Sequence, residues 1–293
     1  MSSEFLTAYQ TYAAASEKAL EEQAIGFQTD SVVAEAMKYS LLGGGKRVRA
    51  VLTLACCEAL TGDHGPALPA ACGIEMVHAY SLIHDDLPCM DNDDFRRGKP
   101  SCHKRFGEAV ALLAGDALQT EAFGCISKIA DPAAAQRCCR ILAAAAGGAG
   151  MVYGQELDLE GSAEPKDEAS LLKIHGNKTG KMIRAACAMG AVIGGANETQ
   201  IELLDEYAAG IGLAFQIIDD ILDVTADETV LGKPVGSDAE NEKYTFVSLL
   251  GIDGSRRRAA EVTEKAKAAA SKALPGKSRF LEDLADWLVR RES

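Results

Sequence analysis

An all-α fold, laid out as one large domain over residues 1–293, is what this sequence predicts. Hydrophobic residues make up 47% of the chain but aromatics only 5%. Much of the apolar content is alanine and leucine, which favour helix. Alternating runs of strand formers are hard to find. Length alone also permits two domains, but no low-complexity linker and no short-period repeat divides the chain.

The elements follow from the punctuation. Helices are expected near 3–24 and 31–42, then, after "GGGK", near 47–61, and after "TGDHGP" near 67–88. "RRGKPS" precedes a helix near 107–129. "DPAAA" opens the next, near 133–148, with Asp131 as cap and Pro132 at the first helical position. "GSAEPKDEAS" leads to 168–176, and "GNKTGKMIR" to a glycine-punctuated start at 179–194. "GGANET" introduces 198–224, "LGKPVGSD" precedes 243–250 and 256–273, and "LPGKS" precedes 279–291. Two of these, "PAACGIEMVHAYSLIH" and "IELLDEYAAGIGLAFQIIDDILDV", are apolar almost all round. Such helices sit inside a bundle, and both end in aspartates.

The net charge is -13, from 43 acidic and 30 basic residues. That argues against nucleic acid and against an anionic membrane surface as partners. An anionic ligand would then need local basic groups or metal ions. The nine cysteines, at 56, 57, 72, 89, 102, 125, 138, 139 and 187, form no C-x-x-C pair. They read as reduced core residues rather than a zinc site. The N-terminal stretch has no basic start and no apolar run of signal length. No segment reaches the roughly 18 uninterrupted apolar residues of a membrane span. A cytoplasmic protein is expected.

The aspartates define two clusters. In "FQIIDDILDV", Asp219 and Asp223 are four apart and share a helix face, with Asp220 beside them. Two like charges at a helix C-terminus oppose the macrodipole and call for a cation. An exposed acidic edge is the plainer alternative. In "SLIHDDLPCMDNDD", Asp85 and Asp91 are separated by about 240° on a straight helix. Pro88 disfavours such a helix, so the chain is expected to end its helix there and fold Asp91 back beside Asp85. Oxygen-only ligands of this kind suit Mg²⁺, which keeps waters and bridges to phosphates.

Basic residues answer them. Arg96, Arg97 and Lys99 follow at once in "FRRGKP". In "LLGGGKRVRA", Lys46 and Arg49 are three apart and can grip together at a glycine-rich helix start, where free amides favour an anion. Arg47 is expected to be solvated. A mere basic surface patch is the alternative. His78 lies seven residues before Asp85, on nearly the same helix face. "GNKTGKMIR" adds Lys178, Thr179 and Lys181; Lys233 and Lys243 lie beyond the second acidic cluster.

Taken together, "DDLPCMD" with "RRGKP" and "FQIIDDILD" resemble the two aspartate-rich motifs of the trans-isoprenyl diphosphate synthases. "GGGKRVR", "EMVHAYSLIHDD", "GQELD" and "NKTGK" match further family blocks in the same order, and the resemblance runs out to "LADWLVRRES". The spacing in the first motif resembles the bacterial short-chain type, within it most the enzymes that make (2E,6E)-farnesyl diphosphate.

The resemblance implies a large single polyprenyl synthase domain over 1–293, a helical bundle of the isoprenoid synthase type around a central cavity, working as a homodimer. By motif position, Asp85 and Asp91 would ligate Mg²⁺ from one side and Asp219 from the other. Asp86, Asp220 and Asp223 would ligate less directly or orient waters. Three Mg²⁺ per site would hold an allylic diphosphate, whose site Arg96, Lys178, Thr179, Gln216, Lys233 and Lys243 would line. Lys46, Arg49, His78 and Arg97 would hold the diphosphate of isopentenyl diphosphate. The implied reaction is ionisation of the allylic diphosphate and attack by the isopentenyl double bond, with dimethylallyl and then geranyl diphosphate as acceptors. Tyr80, five residues before Asp85, with Ser81 at four, would form a floor that stops growth at C15. A C20 or C10 product is the alternative within the family, or Tyr80 is ordinary core. A class I terpene cyclase is disfavoured by the absence of N-D-x-x-S-x-x-x-E and by the unexplained second basic site. A squalene-synthase-like enzyme meets the same difficulty. A non-catalytic subunit is disfavoured because both aspartate motifs are intact.

Overall fold

A computed structural model of the chain describes residues 2–27, 30–160, 167–225 and 244–290. Its helices begin where the capping chemistry is. The Ser2 hydroxyl accepts from Phe5 N and opens α1, Ser3–Ile25; Ser31 accepts from Ala34 N and opens α2, Val32–Leu41. Helix α3, Val48–Thr61, ends at Gly62 in the left-handed conformation. A 3₁₀ turn at Gly65–Ala67 then leads into α4, Leu68–Asp85. A two-residue antiparallel ribbon follows, β1 Phe95–Arg96 and β2 Lys99–Pro100, with Phe95 opposite Pro100 and Arg96 opposite Lys99. The short α5, Cys102–Phe106, precedes α6, Glu108–Ile126. Helix α7, Pro132–Ala146, starts as expected, with Asp131 accepting from Ala133 N.

Two features depart from the sequence expectation. Helix α8, Met151–Glu160, was not expected, because Gly147, Gly148 and Gly150 just before it read as loop. It forms by packing: a Cβ on Gly154 would overlap the Lys178 backbone, so the two segments touch main chain to main chain. The expected break before residue 179 is absent. Helix α9, Glu168–His175, runs through a π-helical segment, Gly176–Gly180, into α10, Lys181–Ile193. Near the C-terminus, α12, Phe246–Ala273, is broken by a kink at Gly251 (φ 67, ψ 169), whose backbone is not helical, in line with the two helices expected there. Helix α11, Glu198–Thr225, and α13, Arg279–Arg290, agree with the expectation.

The two all-round apolar helices are central. Helix α4 buries Ile74, Met76 and Val77 completely and packs along α6, α3 and α1; each such side chain contributes about 1.5–3 kcal/mol. Helix α11 packs along α12 and α10, and buried Tyr207 on it donates to Leu281 O of α13 at 2.8 Å. A second, smaller core closes around the end of α11, with Ile217, Ile221 and Phe246. Among the described residues, α6 alone has the length and apolarity of a membrane span; it carries Asp116 and Glu121 and packs against α4. All nine cysteines are free thiols; most are buried, Cys139 is half-buried and Cys89 is exposed.

Candidate functional site

The first acidic cluster is built by the way α4 ends. Leu87 N donates to His84 O, Met90 N and Asn92 N donate to Leu87 O, and Asp91 N donates to Asp85 O at 2.8 Å. The chain therefore folds Asp91 back onto the end of α4, as Pro88 led us to expect. Burial pushes the Asp85 carboxyl up to about 6, and Asp91 and Asp86 add to the rise, while Lys178 and Arg96 oppose it. Asp86 is 2% exposed and accepts from Arg96 Nε at 3.0 Å and from its Nη2. Arg96 also donates to Asp93, and Asp94 pairs with Lys104.

The second cluster caps another helix. Asp220 is buried and accepts the backbone N–H of Phe246 at 2.7 Å, at the start of α12. Asp223 is buried, whereas Asp219 and Gln216 are half-buried. Asp219 stands close enough to Arg49 to favour its charged form.

A basic cavity of about 290 Å³ has Phe215 of α11 on its wall and is lined by Lys46, Arg49, His78 and Arg97 among others. These are the four residues expected to share an anion site. The glycine loop makes this possible. Gly45 has φ 122, and a Cβ there would stand 2.7 Å from the Arg97 guanidinium carbon. Arg97 donates to Gly44 O. The cations disfavour one another: burial lowers the Arg49 pKa and Arg97 lowers it further. Burial, then Arg49 and Arg97, push His78 well below the usual histidine range, so it is neutral. Such a cluster favours a bound anion.

Arg47 corrects the sequence reading. It is 4% exposed, not solvated. Its backbone is left-handed at φ 52, which turns its side chain inward. There Nε donates to Glu17 at 2.7 Å, Nη1 to Glu75 at 3.3 Å and Nη2 to Leu41 O at 2.7 Å. Glu75, 2% exposed, also accepts the backbone N–H of Ala50 at 3.1 Å, capping α3 from a different helix. Sequence reasoning missed Glu75, although a single acid inside "CGIEMVHAYSLIH" was the available signal.

Lys178 sits in the π segment, a local irregularity that often marks functional positions. Its Nζ pairs with Asp158 of α8 at 2.6 Å. Asp158 was also missed as a site residue, although it stands in the quoted block "GQELD". Thr179 is half-buried beside Lys178. Lys233 and Lys243 lie outside the described residues. Ser81 donates to His78 O at 2.9 Å. Tyr80 is 6% exposed and meets His84 edge to face.

A cavity lined by arginine, lysine and neutral histidine, with Asp219 near enough to act on Arg49, suits a ligand carrying concentrated negative charge. The comparisons agree. Residues 30–277 match the polyprenyl synthetase family. A farnesyl diphosphate synthase of Geobacillus stearothermophilus is 52% identical over 237 residues, covering 80% of this chain and 80% of that protein. A chloroplastic geranylgeranyl pyrophosphate synthase of Catharanthus roseus is 45% identical over 281 residues, covering 94% of this chain and 78% of that protein. The crystal structure of an FPP/GFPP synthase from Zymomonas mobilis superposes with a TM-score of 0.86 at 37% identity, covering 99% of this chain and 100% of that one. The chain belongs to the polyprenyl synthetase family and is a prenyltransferase by class.

Proposed function

We propose that residues 1–293 form a single catalytic domain that condenses isopentenyl diphosphate with dimethylallyl and then geranyl diphosphate, giving (2E,6E)-farnesyl diphosphate. The observation that supports this most is the placement of Lys46, Arg49, His78 and Arg97 around one cavity, with Asp219 electrostatically coupled to Arg49. One diphosphate would meet the cations and the other the carboxylates.

The carboxylates fit magnesium by their chemistry. Their donors are all oxygen, and burial raises the Asp85 carboxyl, so a bound cation would favour its charged form. Among the described residues, no three acidic, histidine or cysteine side chains converge into a metal site of their own. Mg²⁺ tolerates this, since it takes one or two carboxylates and completes its shell with water and phosphate. Asp85, Asp91 and Asp219 would hold up to three ions. Asp86 and Asp220, committed to Arg96 and to Phe246 N, would hold the ligand-bearing helix ends in place, with Asp223 beside Asp219. When bound, magnesium supplies charge neutralisation to the departing diphosphate.

The chain's own groups do the rest. Lys178 and Arg96, with Thr179, Gln216, Lys233 and Lys243, would bind the allylic diphosphate and stabilise the charge that develops as its C–O bond breaks. Lys46, Arg49 and Arg97 would orient isopentenyl diphosphate so that its double bond faces the allylic cation. Neutral His78 would contribute a hydrogen bond rather than a charge. The apolar interior keeps water from the cation, and the released diphosphate is the base for the departing proton. Exposed Leu112 and Leu113 on α6 support a homodimer joined through that helix.

Tyr80 supports C15 as the product length. The geranylgeranyl relatives, such as that of Catharanthus roseus, favour C20 as the second reading. Incubation of the purified chain with isopentenyl and dimethylallyl diphosphates, with Mg²⁺ or with chelator, tests both. The expected result is Mg²⁺-dependent C15. Dominant C20 would keep the mechanism and overturn the floor, and no elongation at all would overturn the function.

A further inference from the structure

Gly115 lies inside α6, where glycine weakens a helix relative to alanine, so a packing reason is called for. The space where its side chain would stand is filled: a Cβ on Gly115 would overlap the His84 imidazole of α4 at Nε2 and Cδ2. His84 Nε2 also stands 3.0 Å from Leu112 O of α6. The carbonyl can only accept, so that nitrogen carries the proton. The imidazole also meets Tyr80 edge to face, with ring centroids 5.6 Å apart and an interplanar angle of 73°. The buried Tyr80 hydroxyl has no hydrogen-bond partner among the described residues. Packing alone sets where that ring stands.

We propose that Gly115 and His84 form a wedge that fixes how far Tyr80 projects into the path of the growing chain, making both specificity-determining residues for product length. This rests on the reading of Tyr80 as the floor. The backbone of Gly115 lets the imidazole sit deep against α6; Leu112 O fixes it there; the imidazole then supports the tyrosine ring. Adding one methyl at Gly115 drives the imidazole toward Tyr80 and raises the floor. Removing the imidazole lets Tyr80 drop back toward α6 and lowers it.

The test is the product distribution of the full-length enzyme with isopentenyl and dimethylallyl diphosphates and Mg²⁺. Gly115→Ala is expected to raise the C10 share several-fold, and His84→Ala to add C20. In a His84→Ala background, Gly115→Ala should have no further effect, because the methyl acts only through the ring. A merely structural role would change rate or stability without this product shift and its epistasis. If Gly115→Ala yields too little folded protein, as judged by circular dichroism, the His84→Ala arm decides alone. An unchanged distribution in His84→Ala, with longer products from Tyr80→Ala, overturns the wedge and leaves the floor standing. An unchanged distribution in Tyr80→Ala sinks the floor and the wedge together.

Discussion

The backbone N–H of Asp91 donates to the carbonyl of Asp85 across 2.8 Å, so two aspartates that a straight helix would separate lie at one helix end. The hydrogen bond belongs to the main chain and leaves both carboxylates available to a ligand.

Asp219→Ala should lower kcat by at least about a hundredfold, the scale of losing one preorganised electrostatic group at a reacting centre. Asp219 is half-buried, so its circular dichroism spectrum and Tm should stay near wild type. Near-normal turnover in this variant would remove Asp219 from the metal assignment.

Glu75→Gln should raise the KM for isopentenyl diphosphate while leaving that for geranyl diphosphate unchanged. Glutamine can still accept from Ala50 N but no longer balances Arg47, which is left with Glu17 and Leu41 O. Weakening a buried charged partnership costs about 1–3 kcal/mol, so Tm should also fall. A KM that falls instead would mean that Glu75 acts through its charge on the ligand, not through the loop.

Gly45→Ala should act on the same substrate by another route. Gly45 has φ 122, and the added methyl would press on the Arg97 guanidinium. The expected outcome is a raised KM for isopentenyl diphosphate and a modest loss of Tm. Equal kinetics in wild type and variant would place Arg97 outside the diphosphate site.

His78 carries a pH signature. Burial, then Arg49 and Arg97, depress its folded pKa well below 6.5. The unfolded chain therefore binds the proton more readily. The stability tied to neutral His78 is fully present above about pH 6.5 and is lost as pH falls toward the depressed folded value. Wild type should lose up to about 1.4 kcal/mol per pH unit relative to His78→Gln in that window. Parallel stability–pH curves, measured by denaturant unfolding, would refute a neutral buried His78.

Much of the site could be read in the chain because it depends on local chemistry. Pro88 stops α4 and allows the fold-back of Asp91, the glycines before Lys46 make the loop, and the apolarity of α4 and α11 on every face marks them as interior. What could not be read depends on residues distant in sequence. Arg47 looked solvated because helical spacing was applied to a residue that is left-handed, with partners Glu17 and Glu75 on α1 and α4. Helix α8 was hidden by its preceding glycines; only the main-chain contact of Gly154 with Lys178 reveals why it forms and why Asp158 reaches Lys178.

The sequence by itself determined the helical class, the two acid-tipped central helices and the basic loop, since period, caps and breakers act within a few residues of one another. Only the tertiary structure decided which charges pair with each other and which face the cavity. Asp86 went to Arg96, Asp220 to the start of α12 and Arg47 to two glutamates. The physical reason is that a buried charge must find its partner in space, and the nearest opposite charge in space is rarely the nearest in sequence.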